Sequence, residues 1–338
     1  MPSVSCRVGL GIKAIPSPGR HGVACRLTNR SPRSGAGADP AGRAAGTESH
    51  AILPRMFKRQ TSGSVVCVSC GYLVGVKDDK CYHCGRRNPA LFGFAPALRS
   101  LGHDAGFVPF VTGFCALMYV LALLWGGISM SGGMLGFLAP RAESNFLFGA
   151  SGAAPVFEYG RWWTVLSASW LHGGLLHIGF NVMWIRQLAP AVGELYGPGR
   201  MVIIYIAAGV AGFAASSFAG HFINLPWPLS GADLTVGASA SIFGLLGALV
   251  YYGRRGGSSL VRGQALSWAL TMGIFGLIMP GIDNYAHAGG FAGGYLVGRV
   301  LDPLQPEQIN HIFLAVVCLA LSVLAIVASV VHGLQFFR

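Results

Sequence analysis

Seven apolar runs fill the last two thirds of this chain, and they constrain its fold more than any other feature. They lie near 107–129, 173–195, 201–219, 236–253, 264–282, 285–302 and 310–332. A helix needs about 20 residues to cross a hydrocarbon layer of roughly 30 Å, so each run is read as a membrane span. The chain is therefore expected to be an all-α, multi-pass membrane protein. Composition agrees, since only 11% of its residues are charged where a soluble domain carries about 25%.

Charge orients the bundle. Residues 1–105 hold fifteen of the 24 Lys and Arg and five of the 12 acids, which places +10 of the net +12 ahead of the first span. Cytosolic flanks are enriched in Lys and Arg, so the N-terminus is expected in the cytosol. With that start, the inner loops receive Arg200, then Arg254, Arg255 and Arg262, then Arg299. The outer loops receive Arg141, Arg161, Glu143, Glu158, Asp233 and Asp283. The membrane expected is the cytoplasmic (inner) membrane, in preference to an organellar one. The lipid bilayer is one partner, and no nucleic acid is expected.

Residues 1–55 are rich in Arg, Gly, Ser, Pro and Ala and lack apolar periodicity. They are expected to form a disordered basic tail, or an over-extension of the reading frame upstream of Met56. Next comes Cys67-x2-Cys70-x10-Cys81-x2-Cys84, two knuckles each followed by glycine, Gly71 and Gly85. Four thiolates at this spacing suit a tetrahedral Zn²⁺, with rubredoxin-like iron or disulfides as the alternatives. Residues 64–90 are thus expected to be a zinc ribbon with a structural metal, His83 not being a ligand. Its use is structural or the docking of a cytosolic protein partner. Residues 91–106 form a linker, Cys115 and Cys318 are small core hydrophobes, and Cys6 and Cys25 in the tail carry no signal.

Polar residues inside spans are costly and mark function. Here they gather at the starts of three spans: His172, His177 and Asn181 in HGGLLHIGFN; Ser239 and Ser241 in VGASASIFG; Asp283, Asn284 and His287 in IDNYAHAGGFAGG. All three spans run the same way, so at 1.5 Å per residue these groups share one layer about 5–10 Å below the outer interface. His177 and Asn181, four apart, share a helix face. Ala240, Gly244 and Ala248 form one small-residue stripe, and Gly290 and Gly294 continue the face of His287. Such stripes let helix backbones approach closely, as a serine–histidine hydrogen bond requires. Phe243, one turn after Ser239, is placed to pack on the His287 ring. Trp162, Trp163 and Trp170 in the long first loop suit the membrane interface.

Taken singly, each residue has a structural reading: a serine in a span usually back-bonds to a carbonyl one turn earlier, and glycine stripes mostly mean packing. The joint pattern suggests nucleophilic catalysis. His287 would act as base for Ser239, while His177, Asn181 and the Ser239 N–H would face a developing oxyanion. No acid stands at a depth to orient His287, and Asp283 reads as a helix N-cap. The pattern is therefore a dyad.

Over residues 107–302 the chain resembles the rhomboid family of intramembrane serine proteases. The resemblance rests on His172 with His177-x3-Asn181, on Gly237-Ala238-Ser239-Ala240, and on Ala286-His287 followed by Gly290 and Gly294. It implies a six-helix core with Ser239 and His287 as the catalytic pair, His177 and Asn181 at the oxyanion, His172 and Phe243 lining the cavity, and Gly237, Gly290 and Gly294 in helix packing. The span at 310–332 resembles the helix that some members add after the core. The implied substrates are single-span membrane proteins cut at small residues near helix-breaking sequence, with no catalytic cofactor. Two departures stand out. Ala240 occupies the position where the family usually has glycine, and its methyl is expected to crowd the oxyanion site or the contact with the sixth helix. Arg161-Trp162-Trp163 stands where many members place Trp before Arg. The alternatives are a catalytically weak or inactive scaffold or chaperone of the same fold, and a transporter. Transporters show internal repeats and midplane polar groups; here no repeat is visible and the polar layer lies near one side.

Overall fold

The structure is a computed structural model that describes residues 59–100, 102–129, 136–223, 225–226 and 228–337. The expected basic tail over 1–55, with Met56, lies outside the described residues.

The cysteine-rich segment opens the described chain. Strands β1 (Ser64–Val66) and β2 (Leu73–Gly75) pair antiparallel, Val65 opposite Val74. Cys67 follows β1 directly. Gly71 and Gly85 turn the two knuckles at φ +77 and +72, a left-handed conformation that glycine adopts freely. The apolar core is small: Val65, Val74, Ala90 and Ala95 around Cys67 and Cys81. The segment expected as a linker holds a single turn over Leu91–Gly93 and the short helix α1 (Ala95–Ser100).

Among the described residues, seven long helices follow, close to the seven apolar runs. They are α2 (Phe107–Gly126), α5 (Leu175–Tyr196), α6 (Pro198–Phe222), α7 (Ser239–Arg255), α8 (Ser259–Ile278), α9 (Asn284–Val300) and α10 (Ile309–Gly333). Between α2 and α5 the loop carries α3 (Ala142–Phe148), α4 (Thr164–Ser167) and a small antiparallel pair, β3 (Ile128–Ser129) with β4 (Ala139–Pro140). Helix α7 is central, buried along most of its length and packed against α5, α6, α8 and α9.

Among the described residues, three helices are long and apolar enough to cross a membrane: α2, α6, and the stretch from Ile309 to Phe336 that contains α10. The other four differ for reasons visible in their residues. Helices α7 and α9 have 17 residues each. Helix α5 carries His177, Asn181, Arg186 and Glu194, and α8 carries Arg262 and Gln264.

The two ends of the bundle are unlike. At one end the first knuckle docks, Ser69 Oγ donating to the Glu307 carbonyl at 3.2 Å. The Glu307 carboxylate, itself buried, accepts the Arg200 N–H at 2.9 Å and lies over Gly197, where α6 begins. Burial pushes this carboxyl upward, opposed by the N–H of Arg200. An open cavity of about 680 Å³ remains between the knuckle, the α5–α6 turn and residues 303–307. At the other end lies the long loop, with the N-termini of α5, α7 and α9.

Candidate active site

Helix α7 begins at Ser239, so the serine stands at a helix N-terminus whose first N–H groups have no partner within the helix. Across from it, α9 begins at Asn284 and places His287 in its first turn. The two side chains meet, with Ser239 Oγ 2.9 Å from His287 Nε2. Three features produce this contact.

The first is backbone proximity. A Cβ built on Gly290 would lie 2.1 Å from the Ala240 carbonyl oxygen, and one on Gly294 2.0 Å from that of Gly244. Gly298 continues the stripe against Ala248. Only glycine allows α9 this close to α7. The second is ring orientation. Phe243 stacks on His287 with centroids 4.2 Å apart and planes 15° apart. The third is the start of α9. Asp283 caps it, its carboxylate accepting the Ala286 N–H at 2.9 Å and the Ser216 hydroxyl at 2.5 Å. Asp283 is thus occupied as a cap, and His287 Nδ1 is buried without a partner. Among the described residues, no acid hydrogen-bonds the imidazole.

His177, in the first turn of α5, completes the cluster. Its Nδ1 accepts the Gly173 N–H at 3.3 Å. In the neutral ring the proton then sits on Nε2, and that nitrogen faces Gly237, where an added Cβ would come within 2.6 Å. Gly237 was expected among the helix-packing glycines; it lies instead in the turn before α7 at φ +131. Its missing side chain leaves space beside the His177 donor, and its positive φ turns the chain into the helix. Asn181 is buried, and its Nδ2 donates to the His177 carbonyl at 2.8 Å, which holds the amide against its own helix. His172 is buried with its ring centroid 5.3 Å from that of His177 and neither nitrogen bonded. An open cavity of about 240 Å³ borders the site between Pro140, Ala142 and Asn145 on one side and Gly173, Thr235 and Val236 on the other.

One expectation is met in part and one is corrected. Of the two places where the Ala240 methyl was expected to crowd, it lies at the contact with the sixth long helix, clustered with Ala286 of α9. It points toward α6, where Gly212 leaves room (a Cβ there would lie 2.8 Å away), within a small cluster of Ala168, Phe213 and Ala286. Trp170 is not at an interface. It is 1% exposed, edge-on to Phe114 and near Tyr205 in the core. Trp162, by contrast, is exposed.

Sequence reasoning also missed the burial of Arg161 in the loop. Its guanidinium donates to the carbonyls of Phe146 (2.8 Å), Leu147 (3.4 Å) and Ser329 (2.9 Å), and burial lowers it to about 10. The signal was available as an arginine beside two tryptophans in an apolar loop. Ser329, its partner on α10, gave no such signal.

The four ribbon cysteines converge as expected. Their sulfurs all lie within 4.8 Å of one another, with Cys67–Cys84 at 3.8 Å and Cys70–Cys81 at 3.6 Å. A tetrahedral ion with metal–sulfur bonds of about 2.3 Å spaces its ligands by about 3.8 Å, so the set fits a metal. A disulfide would need about 2.05 Å. The Cys84 backbone N–H, with that of His83, brings the Cys81 thiol down to about 7, while burial pushes the Cys67 thiol up and that of Cys70 up to about 12. His83 stacks on Tyr72 with ring centroids 4.3 Å apart.

Comparison with known proteins finds similarity to the rhomboid family. Residues 159–303 match the Rhomboid domain. The chain is 31% identical over 214 residues to the "Rhomboid protease GluP" of Bacillus subtilis (strain 168), covering 62% of this chain and 38% of that protein. It is 30% identical over 147 residues to "RHOMBOID-like protein 4" of Arabidopsis thaliana (41% and 34%). It is 27% identical over 149 residues to "Rhomboid-type serine protease 2" of Emericella nidulans (41% and 26%). The matched region thus spans well under half the length of each of these relatives.

Proposed function

We propose that this chain is an intramembrane serine endopeptidase of the rhomboid family working through a Ser239–His287 dyad, a reading supported by the Rhomboid domain match over residues 159–303. The single observation that carries this reading is the 2.9 Å contact between Ser239 Oγ and His287 Nε2.

In the mechanism, His287 Nε2 takes the Ser239 proton as Oγ attacks the scissile carbonyl carbon. The carbonyl oxygen becomes an oxyanion. It is met by the Ser239 N–H at the α7 N-terminus and by His177 Nε2–H across the space that Gly237 leaves open. The second N–H of Asn181 Nδ2 adds a donor from the same face of α5. As the tetrahedral species collapses, the C–N bond breaks and His287 returns the proton to the leaving amine. Water, deprotonated by His287, then attacks the acyl ester and releases the new carboxylic acid and free Ser239. Phe243 replaces an orienting acid, fixing the imidazole by stacking. His172 lines the water-bearing cavity.

Seven helices cross the bilayer in this reading, with the ribbon end cytosolic, and the substrates are single-span membrane proteins. The membrane is the cytoplasmic (inner) membrane. Zn²⁺ is the metal of the four thiolates, and its role is to fold the ribbon. The Ala240 methyl, packed toward α6, favours an active enzyme over an inert scaffold.

Cleavage of a single-span reporter protein in proteoliposomes tests the proposal. Wild type should release two fragments, and Ser239→Ala or His287→Ala none. Equal cleavage by all three would sink the dyad.

A further inference from the structure

The seventh long helix lies outside the six-helix core, yet its C-terminal end is bonded into the loop beside the site. Ser329, fully buried on α10, does this with both of its oxygens. Its carbonyl accepts from Arg161 Nη2 at 2.9 Å, and its hydroxyl accepts from Trp163 Nε1 at 3.1 Å. The fit is tight, since a Cβ on Gly149 would come within 2.6 Å of Ser329 Oγ. One turn on, His332 lies edge-on to Trp163, and Phe336 packs edge-on to Phe146 and Tyr159.

The loop so held is in turn what holds the backbone leading to Ser239. Ser151 and Thr235 exchange two N–H···O bonds, at 3.0 and 2.7 Å. Ala153 N–H donates to the Ala232 carbonyl at 2.9 Å, and Gly237 N–H to that of Ala168 at 3.0 Å. Residues 232–237 therefore hang from the loop at four points just before the helix that begins with the serine. A shift of the loop moves Gly237 and the N–H of Ser239, the groups that frame the oxyanion in the proposed reaction.

We propose that Ser329 is a positioning residue: its hydroxyl, through Trp163, fixes the outer loop beside the bond of Arg161 to its backbone carbonyl, and through the loop it sets the geometry of the Gly237–Ser239 backbone. The added helix is then part of the working site and more than an extra anchor. This inference rests on the serine-hydrolase reading above.

The test uses the full chain in detergent, with Ser329→Ala, Trp163→Phe and the double variant. A fluorophosphonate probe reports the acylation rate constant per titrated site, and melting is followed in parallel. Each single variant removes the same hydrogen bond from opposite partners. Each should slow acylation per site roughly fivefold, and the double should be no slower than either. Trp163→Phe leaves α10 unaltered, so it decides the matter if Ser329→Ala folds poorly. A merely structural role would reduce the number of reactive sites or the melting temperature at an unchanged per-site rate, and that result would overturn the proposal. An unreactive wild type would sink the hydrolase reading and this role with it. A reactive wild type whose variants match it would sink this role alone.

Discussion

Replacing Gly290 by alanine adds one methyl at the close approach of α7 and α9 beside Ser239. The new Cβ would lie 2.1 Å from the Ala240 carbonyl oxygen and 2.8 Å from its carbon. Ordinary contact begins at 3.4 Å, so the helices must part by about 1.3 Å at that level. Neither neighbour can yield alone, because both are helix backbone. Half of that displacement, passed to the dyad one turn away, opens the 2.9 Å Ser239–His287 contact to about 3.6 Å, which is no longer a hydrogen bond. Losing a positioned base costs about 10²–10⁴ in rate, while overpacking costs about 1–3 kcal/mol of stability. The assay is the fluorophosphonate acylation rate of folded protein, measured beside Gly113→Ala and Gly273→Ala. Those two positions have open space where the methyl would go. They should keep wild-type rates and gain up to about 1 kcal/mol from better helix propensity. If Gly290→Ala acylates as fast as these controls, the argument from close approach is wrong.

Other outcomes follow from the same geometry. Phe243→Leu keeps an apolar side chain but loses the 4.2 Å stack on His287; acylation should slow roughly fivefold with little change in melting, since ring stacking is worth about 0.5–1.5 kcal/mol beyond burial. Ala240→Gly removes a methyl that faces Gly212. It should leave the acylation rate within about twofold and cost about 1–2 kcal/mol of stability from the lost methyl and the helical glycine, whereas a large gain in rate would show that the methyl obstructs the oxyanion site. Cys84→Ser should abolish stoichiometric zinc measured on the purified chain by mass spectrometry and expose the Arg59–Ser100 segment to protease; retention of one zinc per chain would show that the four thiolates are not the site.

Sequence and structure agree where burial and spacing speak directly. Apolar runs placed the seven long helices within a few residues, because hydropathy over some 20 positions averages out local exceptions. The contact between Ser239 and His287 was legible because both stand near the starts of parallel-running helices and their small-residue stripes have matching four-residue steps. The loop between α2 and α5 was not legible. Its short helices and strand pairs have no period, and its order depends on distant partners: Arg161 reaches Ser329 across 168 positions. Trp170 was misplaced because a tryptophan suits an interface and a core equally by composition, and only the aromatic neighbours from α2 and α6 decide between them. The direction of the Ala240 methyl depended on Gly212, a residue of another helix that no local motif connects to it. The docking of Ser69 on Glu307 was likewise invisible, since a serine in a knuckle and a glutamate before a span each look like ordinary surface groups.

The most direct test of the central claim is to label the purified chain with a fluorophosphonate probe and map the adduct by peptide mass spectrometry. The account predicts one adduct, on Ser239, that is lost in Ser239→Ala and in His287→Ala while both variants melt as wild type does. An adduct on another serine, or none on well-folded protein, would contradict it.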